Sequence, residues 1–99
     1  MKISSNIKNI VNDVINWRHE LHRNPELGYE EFWTSDFITK KLESFNIEVH
    51  RGLAGTGVVG TLTGTGGKSN RAIGLRADMD ALPIQEENEI SYKSKFDGR

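Results

Sequence analysis

Apolar residues recur at helical spacing from the beginning of the chain. Ile7, Ile10, Val11, Val14, Trp17 and Leu21 make one stripe, with Lys8, Asn9, Asn12, Asp13 and Asn16 opposite. The pattern predicts a helix over about 5–23. Ser4 or Ser5 can cap its start, and Asn24-Pro25 ends it, because the residue before a proline avoids the α region. A second stripe, Trp33, Phe37, Ile38, Leu42 and Phe45, predicts a helix over about 30–45. Glu30 and Glu31 fall in its first turn and Lys40 and Lys41 in its last turns, each favourable for the macrodipole. Asn46 suits the left-handed residue that comes after many helices. From Ile47 the period changes to two. Strands are predicted over about 47–50, 57–63 and 71–77, the last two joined by a flexible hairpin loop, Gly64 to Asn70. Residues 84–99 are polar and weakly patterned, a loop with room for a short edge strand at Ile90-Ser91-Tyr92. Two helices and then three strands predict an α/β arrangement in which helices cover one face of a sheet.

Composition narrows the picture. Ninety-nine residues are enough for one modest core. Thirteen basic residues against fourteen acidic ones, net −1, carry no excess pointing to nucleic acid or to a membrane surface. No window approaches the length of a membrane span, and the first residues lack the apolar core of a signal peptide, so a cytoplasmic protein is expected. With no cysteine, disulfides, zinc-thiolate sites and thiol catalysis are ruled out for these residues.

Three short motifs fail on context. Gly55-Thr56-Gly57-Val58-Val59-Gly60 fits the dinucleotide pattern, but Val58 to Thr63 are β-branched and Gly-rich where a helix N-terminus is needed. Its glycines are expected in tight turns and sheet contacts. Gly66-Gly67-Lys68-Ser69 matches half of a phosphate-binding loop; Leu62 stands where the first glycine belongs, and a strand-like run comes after Ser69. His19-Glu20-Leu21-His22 sets two imidazoles i, i+3, one short of the zincin spacing, with no further ligand nearby; packing and local hydrogen bonds are expected there. A fourth segment carries more. The run Ala72-Ile73-Gly74-Leu75-Arg76-Ala77 empties into Asp78 and Asp80, and Pro83 closes it. Ligands gather beyond the carboxyl ends of strands in α/β proteins, so these carboxylates are candidates to meet a metal, a ligand histidine or a polar substrate.

Taken with Trp17-Arg18-His19-Glu20-Leu21-His22-Arg23-Asn24-Pro25-Glu26-Leu27-Gly28-Tyr29-Glu30-Glu31, and with Gly55-Thr56-Gly57-Val58 between, the Arg76 to Pro83 stretch gives the chain a family likeness. From about residue 12 to residue 99 it resembles the N-terminal part of the metal-dependent amidohydrolases. That family includes hippurate hydrolase, the auxin-conjugate hydrolases and the N-acyl-amino-acid amidohydrolases, within the aminoacylase and zinc carboxypeptidase group. The resemblance implies that residues 1–99 are an N-terminal fragment of a three-layer α/β/α catalytic domain, helices on a mixed sheet, with the family's dimerisation domain absent. It implies a two-metal site, zinc or manganese, small N-acyl amino acid substrates, and homodimeric full-length relatives.

The resemblance also assigns roles. Related metallopeptidases carry a His-x-Asp motif at the end of the corresponding strand, a ligand histidine and the aspartate that orients it. Asp80 matches the orienting aspartate; Asp78 stands where the histidine would be, near the metal. His19 and His22 match positions the family uses for structure. In the family, the segment corresponding to Tyr92–Arg99 leads into a Met-His-Ala-Cys-Gly-His-Asp motif that binds the metals, so the chain is expected to stop before those ligands and the general base, and to bind no metal by itself. Two readings are open: hydrolysis of N-acyl amino acid amides seen through one part of the enzyme, or a non-catalytic remnant. A small binding module using its Gly-rich loops is the third.

Overall fold

The computed structural model describes residues 2–99, in two compact units: the chain up to Pro25 together with Leu82–Arg99, and Glu26–Ala81. In the first unit, helix α1 runs Ser5–Arg23. Ser4 caps it: its hydroxyl accepts the Ile7 N–H at 3.4 Å. Asn24 closes it, its N–H bonding the Leu21 carbonyl at 3.2 Å and its side chain donating to the Glu20 carbonyl at 2.8 Å. No residue of α1 is buried, and Ile7, Ile10, Val11, Val14 and Ile15 are all exposed. Against its C-terminal end lies the irregular stretch 84–99, where the Arg23 carbonyl accepts the Lys95 N–H at 3.0 Å. Ile90-Ser91-Tyr92, expected as a short strand, turns instead, with the Lys93 N–H returning to the Ile90 carbonyl at 3.2 Å.

The second unit holds helix α2, Phe32–Ser44, and strands β1, Glu48–Leu53, and β2, Gly57–Thr61. The pattern places the start of the second helix near residue 30; the chain delays it to Phe32. Tyr29 takes a left-handed φ of +67°, and the Glu30 and Phe32 N–H groups close turns on the Leu27 and Glu30 carbonyls, both at 2.9 Å. Glu30 and Glu31 therefore precede the first helical turn. The acid that serves the helix is an earlier one. The Glu26 carboxylate accepts the Trp33 N–H at 3.1 Å and, through its other oxygen, the Thr34 N–H and hydroxyl, each at 2.6 Å. These are donors a helix leaves unsatisfied at its start. Replacing Glu26 with alanine is expected to cost about 1 kcal/mol, the usual worth of an N-cap side chain, read as a lower urea midpoint and faster amide exchange at Trp33 and Thr34.

Strands β1 and β2 pair antiparallel, Glu48 opposite Thr61 and Arg51 opposite Val58, with a bulge between Arg51 and Leu53. The turn between them spans 54–56. Gly57 has to be glycine: a Cβ there would lie 2.5 Å from the Leu53 carbonyl oxygen. At Gly60 a Cβ would meet Leu42 Cδ1 at 3.2 Å, which marks where α2 rests on the hairpin. The side of α2 that is buried carries small polar residues, Thr34, Ser35 and Thr39, whereas Trp33, on the apolar stripe, is exposed and stacks on Phe37 with ring centroids 5.3 Å apart. Among the described residues no apolar side chain is fully buried. The buried Thr39 hydroxyl has no hydrogen-bond partner. Because a buried unpaired polar group costs free energy, Thr39→Val is expected to leave stability unchanged or raise it by up to about 1 kcal/mol, measured by thermal unfolding.

The expected mixed sheet is thus a two-stranded antiparallel one. The run 71–77, predicted as a third strand, joins no ladder. Between Arg71 and Asp80 a single backbone group is bonded, the Arg71 N–H to Ser69 Oγ at 3.1 Å. Ile73 and Leu75 are 91% and 96% exposed. Apolar alternation records a face that suits burial; a ladder also needs a neighbour in register, and alternation does not supply one.

Candidate functional site

In the second unit, an open cleft of about 540 Å³ lies between the β1–β2 turn and the 75–80 segment, with Gly28, Tyr29 and Glu31 completing its lining. The Ala81 N–H bonds the Glu26 carbonyl at 2.8 Å, tying the end of the acidic segment to the residues before α2. That anchor places Asp80 beside Gly28: a Cβ on Gly28 would stand 3.6 Å from Asp80 Oδ2. Asp80 makes no hydrogen bond or ion pair among the described residues, and its carboxylate faces an open cleft. Asp78 lines the same cleft and accepts from the Arg76 guanidinium at 2.8 Å, both side chains largely exposed.

Two residues that pattern alone did not single out shape this cleft. Glu31 and Thr56 are buried, and the Thr56 hydroxyl donates to Glu31 Oε2 at 2.6 Å. This hydrogen bond is the main reason the Glu31 carboxyl sits below the ordinary glutamate range; burial opposes it, and nearby backbone donors add to it. Tyr29 and Ala54, non-glycine residues at φ +67° and +52°, line the cleft as well. Strained backbone gathers at functional sites. Thr56 was hidden inside a spurious nucleotide motif, and Glu31 resembled an ordinary first-turn acid.

The histidine pair lies in the other unit and serves packing. The His19 ring stacks on Tyr92, centroids 3.7 Å apart and planes 7° from parallel, and the Arg18 guanidinium lies 5.2 Å from the centre of the Tyr92 ring. His22 Nε2 meets Glu86 Oε2 at 2.6 Å. Glu86 Oε1 accepts the Ser94 N–H at 2.7 Å. Among the described residues, no group of three or more His, Asp or Glu side chains is arranged to hold a metal ion. Asp78 and Asp80 alone do not fit a catalytic zinc, which takes about three protein ligands. Nor is any helix among the described residues long and apolar enough to cross a membrane.

No family model matches the chain. It is 51% identical over 78 residues to hippurate hydrolase from Campylobacter jejuni, an alignment covering 79% of this chain and 20% of that protein. It is 42% identical over 93 residues to an N-acyl-L-amino acid amidohydrolase from Geobacillus stearothermophilus, covering 93% of this chain and 24% of the relative. Its fold matches the crystal structure of a dinuclear metal binding peptidase of the M20 family from Bacillus subtilis, with a TM-score of 0.83 and 39% identity over 92% of this chain and 25% of that one. The chain is a homologue of part of the M20 amidohydrolase and peptidase family. It spans about a fifth to a quarter of the length of these relatives. Within this segment the structure brings Asp78, Asp80, Glu31 and Thr56 to one cleft.

Proposed function

We propose that this chain forms one wall of the substrate cleft of a metal-dependent amidohydrolase that cleaves the amide bond of N-acyl amino acids. The observation that carries the reading is the 51% identity with hippurate hydrolase, since hippurate is itself an N-acyl amino acid. The open cleft around Asp80 supports it. Asp80 is assigned the orienting role, its free carboxylate accepting from a ligand histidine and fixing that ring's tautomer; Asp78 is assigned a place near the metal. The metal, zinc or manganese, draws its ligands from outside the residues of this chain. Near-neutral charge supports a small-molecule substrate over nucleic acid or a membrane, and homodimeric relatives and a cytoplasmic setting go with the same reading.

A chimera tests it. The 78 residues that align replace their counterpart in the Campylobacter hippurate hydrolase, and hydrolysis of N-benzoylglycine is measured together with metal content. Retained turnover is expected, and Asp80→Asn in the chimera should lower kcat/KM and metal affinity by about ten- to a hundredfold. A folded, metal-loaded chimera without activity overturns the reading; full activity in Asp80→Asn overturns the role of Asp80.

A further inference from the structure

We infer that Glu31 and Thr56 are positioning residues for Asp80: their hydrogen bond holds the turn against which the Asp80 carboxylate rests. This rests on the amidohydrolase reading, from which Asp80 takes its orienting role. Every contact involved lies inside one compact unit, Glu26–Ala81. Glu31 and Thr56 are themselves buried, so their bond is an internal one.

The turn, residues 27–31, is pinned at both ends. Before it, the Glu26 carboxylate is fixed on the start of α2 by the Trp33 and Thr34 N–H groups, at 3.1 and 2.6 Å. At its end, Glu31 Oε2 accepts the Thr56 hydroxyl at 2.6 Å, reaching across to the β1–β2 turn. Between the pins Tyr29 takes φ +67°. Such a state costs a non-glycine residue on the order of 1 kcal/mol and persists only where its surroundings over-determine it. Backbone donors at Glu31 and Tyr29 also favour the charged Glu31 carboxyl, so one carboxylate serves the strained residue and the hairpin turn together. Asp80 meets this turn twice. The Ala81 N–H bonds the Glu26 carbonyl at 2.8 Å, which sets the main chain. Asp80 Oδ2 stands 3.6 Å from where a Cβ on Gly28 would lie, which sets the carboxylate against the glycine. Releasing the Glu31 pin loosens Gly28 and Tyr29, and the carboxylate loses its stop. A displacement of about 1 Å can cost on the order of a hundredfold in rate.

Amide exchange in the chain itself reads the positioning. In Thr56→Val the amides of Glu30, bonded to the Leu27 carbonyl, and of Ala81 are expected to exchange about tenfold faster relative to those inside α2. Thr56→Ser keeps the hydroxyl and should restore them, and Glu31→Gln, a weaker acceptor, should fall between. An equal rise inside α2 would mean a general loss of stability and would overturn the inference, as would unchanged protection at Ala81. Kinetics read the route through Asp80. In the hippurate hydrolase chimera, Thr56→Val is expected to lower kcat about tenfold and to leave KM within about twofold, with Thr56→Ser near the unaltered value. In the Asp80→Asn background the same substitution should change kcat by about twofold or less, because residues that act as a unit do not add. Equal losses in the two backgrounds would overturn the inference, the pair then acting somewhere other than Asp80. An inactive parent chimera would instead count against the amidohydrolase reading, and the exchange ratio at Ala81 would still decide whether the pair holds the Asp80 segment.

Discussion

Glu86→Ala is expected to release the stretch 86–95 from α1, raising amide exchange there on the order of tenfold while leaving the hairpin amides unchanged. One carboxylate serves two donors, His22 Nε2 at 2.6 Å and the Ser94 N–H at 2.7 Å. Deleting it leaves both without their acceptor, and the flanking contacts, His19 on Tyr92 and Arg23 to Lys95, are few. The clasp is also acid-labile, with a definite sign. The Ser94 N–H first, and the His22 ring second, hold the Glu86 carboxyl below the ordinary glutamate range. A depressed acid stabilises the folded state above its unfolded value, about 4.3, and that contribution disappears as pH falls through the lower folded value. His19 adds an earlier step. Partial burial against Tyr92 pushes its ring below the ordinary histidine range, helped by Arg18, Arg23 and His22. Its contribution is present above about 6.5 and fades as pH falls below that. Two-stage loosening on acidification is therefore expected, monitored through the Tyr92 ring resonances, which stacking on His19 displaces. Glu86→Gln should remove the lower stage and keep the upper one.

The second large effect lies in the other unit. Thr56→Val is expected to cost about 1–3 kcal/mol, the penalty for leaving a buried acceptor unpaired, because Glu31 is only 7% exposed and Thr56 6%. Thr56→Ser keeps the hydroxyl and should recover most of that loss. Glu31→Gln should weaken the bond and also flatten the acid limb of the unit's unfolding profile. The carboxyl is held low mainly by the Thr56 hydroxyl, so its contribution exists above the ordinary glutamate range and is lost on acidification. Urea unfolding at several pH values, monitored by the exposed Trp33, measures all three variants. Equal stability of Thr56→Val and the unaltered chain would remove this bond from the account of how the turn is held.

Local signals carried much of the architecture. Ser4, Asn24-Pro25 and Asn46 delimit helices through chemistry that lies within four residues of each end, and Asn46 takes φ +59°. The helix-to-strand change at Ile47 was legible for the same reason. Long-range partners were not. Glu26, six residues before the helix it caps, carries no periodic mark. The Thr56–Glu31 bond joins residues 25 positions apart, and the Glu86–His22 bond joins residues 64 apart. The third strand failed because alternation at Ile73 and Leu75 is a property of one segment, whereas a ladder belongs to two. Asp78 and Asp80 were visible through their place after an apolar run, and the cleft that gathers them with Glu31 and Thr56 could be seen only once the turn and the segment met.

The want of a fully buried apolar side chain among the described residues has a calorimetric consequence. Heat-capacity change and denaturant sensitivity both scale with the surface uncovered on unfolding. Melting of the 99 residues should accordingly be broad and shallow, with a small calorimetric step, as each unit relies on directional polar bonds where a larger domain would rely on water's exclusion.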